Sequence, residues 1–303
     1  MTGNHRAGTP RGRVPRGVGA VAMVVALTAA CGSPSERAGE GTDEEGLTPL
    51  RVGATPTPHA EILEFVEENL AADAGLRLEI VEYTDYNQPN AALAEGELDA
   101  NYYQTVPFLE EYLAGNDDVD LSYVSDVHLE AFGIYSEDVS DLADLPEGAE
   151  IGVPNDASNM GRALHLLASA DVITLAEDTE GVPTIDDIED GPLDVTVTPV
   201  EAAQLPRSLQ DLDAAVVNGN YALDADLPNT ANTLAWESTE NNPYANGLVV
   251  RSEDVGAEDI VRLDELLHGP EVHDFMEERW QGIVLPVRGD RVVEEPGTSD
   301  SPD

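Results

Sequence analysis

The sequence predicts an α/β protein folded in two halves, with a ligand cleft between them. Three observations carry that expectation. Between residues 50 and 287 short apolar runs alternate with helix-period segments, the pattern of strands that feed helices. That span is too long for a single sheet. Apolar residues make up 41% of the 303-residue chain, enough for about two domains' worth of core.

Taken in order, residues 50–56 (LRVGATP) read as a strand and 59–75 as the helix that follows it. Residues 76–83 (LRLEIVEY) with 88–97, and 98–104 (LDANYYQ) with 106–115, repeat the unit. The alternation resumes at 149–156 (AEIGVPND) and continues through 162–170, 194–200 (DVTVTPV), 208–218 (SLQDLDAAVVN) and 247–254 (GLVVRSED). In the stretch 154–171 (PNDASNMGRALHLLASAD), Met160, Ala163, Leu164, Leu167 and Ala168 recur at helical spacing and face a core. That leaves Asn159, Arg162, His165 and Ser169 on another side. Arg162 is expected to point away from the packing near the helix start, where a cation is unfavourable unless an anion lies against it. Asn155 or Asp156 suits the N-cap of this helix. The stretch reads as half of a carboxylate site.

Charge narrows the function. The chain holds 61 Asp and Glu against 14 basic residues, none of them lysine, for a net charge of −47. Nucleic acid and anionic lipid would be repelled and are excluded as electrostatic partners. The acidic surface fits a plainly solvated face and also adaptation to high salt, where screening removes the self-repulsion. At the N-terminus, arginines precede the apolar run 17–31 (GVGAVAMVVALTAAC), which is of signal-peptide length and short for a membrane span. It ends in Leu27-Thr28-Ala29-Ala30-Cys31, which resembles a bacterial lipobox, whose cysteine is lipidated and becomes the first mature residue. Cys31 is the only cysteine, so no internal disulfide can form. Residues 31–48 read as a flexible acidic tether and 289–303 as a disordered tail.

In such folds ligands sit beyond the carboxyl ends of the strands. The loops there carry Tyr86 and Asn90, Asn101 to Gln104, His128, Asn155, Asn159 and Arg162, then Asn218 to Tyr221. Amides can serve either end of a zwitterion, Arg can grip a carboxylate with two parallel bonds, and aromatic faces can sandwich an apolar side chain. The inventory fits a free amino acid better than a reaction. Tyr102 and Tyr103 face opposite sides of a strand, so one of them belongs to the core. No enzyme is indicated: Ser158 sits in no nucleophile elbow, and His165 lies a turn or more away. The 6 histidines show no zincin-like pairing with carboxylates, so no metal or cofactor is expected, and His268 and His273 read as solvent-facing.

These residues resemble the methionine-binding lipoproteins of bacterial ABC importers, the NlpA/MetQ family. The resemblance spans about residues 50–287 and rests on YTDYNQPNAAL, LDANYYQTVPFL, VHLEAFGIYS, IGVPNDASNMGRAL, AAVVNGNYAL and NPYANGLVVRSED, in the family's order and spacing. It implies a two-lobed type II periplasmic-binding-protein fold with the ligand cleft between the lobes. The parts are then a lipoprotein signal peptide at 1–30, the tether at 31–48, lobe 1 from 49–135 plus 243–288, lobe 2 from 136–242, and the tail. Crossings fall near 134–137 and 237–244. Carried over by motif, Arg162 takes the methionine carboxylate and Asn218 holds the amino and carboxylate groups. Tyr86, Tyr103 and His128 wall the thioether pocket, with Asn159 and Asn246 in support. The chain departs from the family in having Ala131 where Pro is common and Tyr103 where Phe is common. The implied partners are methionine, an ABC permease with its ATPase subunits, and the membrane through a lipid on Cys31, on the extracytoplasmic side. Another amino acid, a methionine dipeptide and, from a different class, an acidic surface adhesin without a ligand stay open.

Overall fold

The structure, a computed structural model, describes residues 41–176, 181–189 and 191–287. The signal segment, Cys31 and the tail lie outside the described residues.

The chain opens with three strand-then-helix units: β1 (Thr48–Ala54) and α1 (Glu61–Val66), β2 (Leu76–Glu82) and α2 (Pro89–Ala94), β3 (Ala100–Thr105) and α3 (Val106–Ala114). Two strands follow, β4 (Leu121–Glu130) and β5 (Gly133–Ser136). Next come β6 (Ala149–Pro154), α4 (Ala157–Ser169), the short pair β7 (Thr174–Leu175) and β8 (Ile188–Glu189), and β9 (Val195–Val200). The chain goes on through α5 (Leu205–Ser208), β10 (Ala214–Val217), α6 (Gly219–Asp224), α7 (Leu227–Thr230) and β11 (Asn232–Trp236). It closes with β12 (Ala245–Arg251), α8 (Glu258–Leu267), α9 (Pro270–Trp280) and β13 (Val284–Pro286). Among the described residues no helix is long and apolar enough to cross a membrane.

Two main sheets result. One has six strands in the order β13-β4-β12-β3-β1-β2, the other five in the order β11-β5-β10-β6-β9. Most strands read from sequence form the parallel pairs β1 with β2 and β3, and β6 with β9 and β10, while β12, read from residues 247–254, pairs antiparallel with β3 and β4. A helix between strands forces a crossover, and a crossover makes the pairing parallel. The sequence reading passed over β4, β5, β11 and β13, which pair antiparallel.

Each sheet has its own core. Leu50, Val52, Leu63, Val66, Met276 and Trp280 pack on the six-stranded sheet, and Ile134, Ile151, Val153, Leu164, Leu167 and Val216 on the five-stranded one. Each such side chain contributes about 1.5–3 kcal/mol on leaving water. The chain changes sheet at 131–132, between β4 and β5, and again over 237–244, between β11 and β12. The first change falls earlier than the 134–137 expected, because β5 already pairs with β10 from Gly133 onward. Residues 43–47, expected within a flexible tether, instead form a turn. Asp43 accepts from the Glu45 and Leu47 N–H groups at 2.8 and 3.0 Å, and Arg77 of β2 pairs with Asp43 and Glu45 at 2.9 and 2.8 Å.

Glycine matters where the two halves meet. A Cβ on Gly219 would lie 2.6 Å from Glu130 Cβ, so only glycine lets the start of α6 approach the end of β4 so closely.

Candidate functional site

A narrow, closely filled cavity is lined from both sheets. Tyr86, Tyr103, Asn159, Arg162, Asn218 and Asn246, all expected at the site, line it, and His128 does not. Gln104, Thr105, Phe108, Glu130, Phe132, Gly219 and Asn220 complete the lining.

Arg162 corrects its sequence reading. It does not point away from the packing: it is 3% exposed, while His165 and Ser169 on the same expected face are exposed. Asp156 caps the helix, its carboxylate accepting from the Asn159 N–H at 2.9 Å, and one turn on, Arg162 turns inward. Its guanidinium lies over the Phe132 ring at 3.8 Å and the Tyr244 ring at 4.4 Å. Its Nε and Nη2 donate to Glu237 at 2.9 and 2.6 Å, and Nη2 also donates to the Glu130 carbonyl at 2.8 Å. The anion that the helix start demanded is therefore Glu237, from the second change of sheet. The two-bond fork is already engaged, and Nη1 is the one guanidinium nitrogen without a hydrogen bond among the described residues.

Glu130 stands at the centre of a buried cluster. It ends β4, is 3% exposed, and shares a strand face with His128 two residues earlier. His128 Nε2 lies 2.6 Å from Glu130 Oε1, and His59 Nε2 lies 3.4 Å from the same oxygen. The outer ring nitrogens have partners as well: His128 Nδ1 meets the Tyr102 hydroxyl and His59 Nδ1 meets Thr55 Oγ1 at 2.8 Å. Burial pushes His128 down to about 3 and His59 down to about 4, so both rings are neutral at pH 7. The network assigns each proton to Nε2, where His128 donates to Glu130 and His59 to Asn246 Oδ1 at 3.2 Å. These contacts are hydrogen bonds to a carboxylate, not ion pairs. Burial pushes Glu130 itself up to about 6, opposed by the neighbouring Arg162 and by the Asn220 N–H.

The trio His59, His128 and Glu130 brings its nitrogen and oxygen atoms within 4.8 Å of one another. Sequence spacing missed this, since His59 comes from the segment after β1, far along the chain from His128 and Glu130. A metal there would have to displace the Nε2 protons that hold Glu130 and Asn246. The expectation that His128 walls the pocket fails for the same reason: its ring packs under Glu130, edge-on to His59 and Tyr102 at centroid distances of 4.9 and 5.4 Å. Tyr102 is the core member of its pair and Tyr103 faces the cavity. Asn90 and Asn101 also stay out of the lining; they lock Gln104 in an amide network with bonds of 2.6–3.0 Å.

On the opposite side, Asn218 is 4% exposed, and its Oδ1 has no hydrogen-bond partner among the described residues. An orphaned buried acceptor costs about 1–3 kcal/mol, which a donor in the cavity would relieve. Beside it, the Tyr86 hydroxyl donates to Asn220 Oδ1 at 2.6 Å. Tyr86, Tyr103 and Phe108 form an aromatic wall with centroids 5.6–5.9 Å apart. The cavity thus offers two acceptors for a cation, one guanidinium nitrogen for an anion, and an aromatic slot. Sequence alone gave no role to Glu130, Phe132 or Glu237; an acid two residues after a histidine on a strand was the available signal for Glu130.

Known proteins match this chain in sequence and fold. The family model of the NlpA lipoprotein matches residues 50–288. The methionine-binding lipoprotein MetQ of Bacillus subtilis is 39% identical over 274 residues, which is 89% of this chain and 97% of that one. A nutrient binding protein from Burkholderia cenocepacia, solved bound to methionine, is 37% identical with a TM-score of 0.75, over 78% of this chain and 99% of that one. An ABC transporter periplasmic substrate-binding protein from Coxiella burnetii is 34% identical with a TM-score of 0.74, over 78% and 100%. The fold is accordingly the two-lobed periplasmic-binding-protein fold, one lobe on each main sheet, with the cavity in the cleft between them. The chain belongs to the NlpA lipoprotein family.

Proposed function

We propose that this protein is the substrate-binding lipoprotein of an ABC importer, capturing methionine outside the membrane and delivering it to a permease. The observation that carries the reading is the unpartnered Asn218 Oδ1 in a cavity that also presents Glu130, Arg162 and an aromatic wall. An ammonium group satisfies Asn218 Oδ1 and Glu130 together, and Arg162 Nη1 receives the carboxylate. The thioether lies among Tyr86, Tyr103 and Phe108, where sulfur–aromatic contacts add to burial worth roughly 1.5–3 kcal/mol. Asn159 and Asn246 hold the two sides in register. Lobe 1 comprises residues 48–130 and 245–287 and lobe 2 residues 133–236, closing about the two short changes of sheet. A lipid on Cys31 tethers the protein to the extracytoplasmic face of the membrane.

A panel of the twenty amino acids and methionine dipeptides on ligand-stripped protein tests this. At about 100 times its dissociation constant the ligand adds about 2.7 kcal/mol of stability, read as a rise in Tm. A response to another amino acid or a dipeptide reassigns the substrate, and no response to any of them removes the transport reading in favour of an adhesin. Cys31→Ser is expected to release the protein to the soluble fraction; retention on membranes points to an uncleaved anchor instead.

A further inference from the structure

We propose that Glu111 is a positioning residue for ligand capture: from outside the cavity it latches the lobe carrying α3 onto the N-terminus of α4 in the other lobe. The proposal rests on the reading that the lobes close around a bound amino acid.

The geometry is specific. Glu111 lies on α3, and its Oε1 and Oε2 accept from the Ala157 and Ser158 N–H groups at 3.0 and 2.6 Å. These are the first two N–H groups of α4, and among the described residues of their own lobe they have no hydrogen-bond acceptor. The third, Asn159 N–H, goes to the local cap Asp156 at 2.9 Å, and Met160 N–H goes to the Asp156 carbonyl at 2.8 Å. A helix start needs such partners and draws them from the neighbouring chain or from water. Here two of them come from across the cleft. Asn159 and Arg162 follow on the same helix and line the cavity, so whatever fixes the start of α4 fixes one wall of the site.

Electrostatics favours the same role. In a chain of net charge −47, closing the cleft brings two acidic surfaces together. The seat that α4 offers Glu111 carries the partial positive charge of a helix N-terminus, which draws this acid to the opposite lobe against the repulsion of the Asp156 carboxylate at the same helix start. The Tyr86 hydroxyl bond to Asn220 also crosses the cleft, but it lies in the cavity lining and is neutral. Glu111 acts at the rim, where it adds to closure without touching the ligand.

The test measures closure and release in the full chain. Spin labels at the exposed Asp118 and Glu147, one on each lobe, report the interlobe distance with and without saturating methionine. Glu111→Ala is expected to enlarge the open population in both states and to speed methionine dissociation about three- to thirtyfold, the range of a lost helix cap. Association should be unchanged. Glu111→Gln, which keeps one acceptor oxygen, should fall between Ala and the parent. Parent-like distances and release rate in Glu111→Ala overturn the proposal, even if Tm falls, because a lowered Tm alone marks an ordinary cap. If the parent binds no methionine, the substrate reading fails by itself. The ligand-free distances still decide the latch: a shift in Glu111→Ala supports it and no shift overturns it.

Discussion

On the lobe 1 wall of the cavity Glu130 is held by His128, which is held in turn by Tyr102, while His59 beside it is held by Thr55 and Asn246. On the lobe 2 wall Arg162 is held by Glu237, but Asn218 Oδ1 is held by nothing among the described residues. The first wall is a finished network around one charge that responds to pH. The second sets a neutralised pair beside an acceptor that still needs a donor. Preorganisation and unmet need are thus divided between the lobes, and a ligand that joins them gains from both.

The largest expected effect comes from breaking the lobe 2 pair. Arg162→Ala strands Glu237, which is 12% exposed in its side chain; losing one partner of a buried pair costs on the order of 3–5 kcal/mol of folding stability. Binding should weaken by about 2–5 kcal/mol, thirtyfold to several thousandfold. Adding Glu237→Ala should restore stability and leave affinity low. Lysine at 162 should recover little, since a point charge cannot both fork onto Glu237 and reach the ligand. Denaturation and calorimetry on these variants separate the two losses. Parent-like affinity in the double variant would remove the carboxylate contact from the site.

The lobe 1 wall predicts a smaller effect with a pH signature. Glu130→Gln should cost about 1.5–3 kcal/mol of binding, the worth of a charged hydrogen bond. In the parent, Glu130 titrates at about 6, so affinity should fall as pH drops through 6, and binding should release protons there. Folding stability runs the other way. A carboxyl whose folded-state pKa is raised from 4.5 favours its protonated form. Its contribution is fully present below 4.5 and is lost as pH rises through 6. The two histidines, titrating at about 3 and 4, stay neutral across that window. Calorimetry in buffers of different ionisation heat should show proton release in the parent at pH 5.5 but almost none at pH 7.5, and none at either pH in Glu130→Gln.

How far this contrast was legible in the sequence follows from the range of each signal. The βα units stood out because local alternation dictates them, and Tyr102 and Tyr103 could be split by strand period alone. Arg162 could be picked out by scarcity and by its place near a helix start. Its burial could not, because Glu237, Phe132 and Tyr244 reach it only through the two changes of sheet. β4 was missed since its buried face carries Ser125, His128 and Glu130, which break the apolar period that marks a strand. His59 looked like one more helix residue until the sheet placed it beneath Glu130.

Asn218→Ala sharpens the contrast from the opposite direction. Deleting an acceptor that has no partner should leave folding stability unchanged or raise it, because an unmet buried group is removed. Affinity should still fall by about 0.5–1.5 kcal/mol, the net worth of one hydrogen bond. If both residues hold one zwitterion, as proposed, the losses in binding should be less than additive when combined with Arg162→Ala. A stability loss above about 1 kcal/mol in the ligand-free variant would show that Asn218 has a structural partner and is no receptor.

The smallest effect is expected at Tyr103, where the family commonly carries Phe. A phenol in an aromatic slot would change ligand choice if its hydroxyl faced the ligand. Here it donates to the Tyr86 carbonyl at 3.4 Å, a long bond that binds one side of the aromatic wall to the other. The ring does the walling, with centroids 5.8 Å from Tyr86 and 5.9 Å from Phe108, and Phe keeps the ring. Tyr103→Phe should therefore leave methionine affinity within about twofold, and stability within about 0.5 kcal/mol because the lost bond is weak. Tyr103→Ala should cost far more, since it opens the slot and deletes buried aromatic area, about 3–5 kcal/mol in stability. Calorimetry and denaturation on the pair settle which part of the side chain matters. A tenfold loss of affinity in Tyr103→Phe would mean that the hydroxyl turns toward the ligand on closure, and that the lobe 1 wall is less finished than its hydrogen bonds make it.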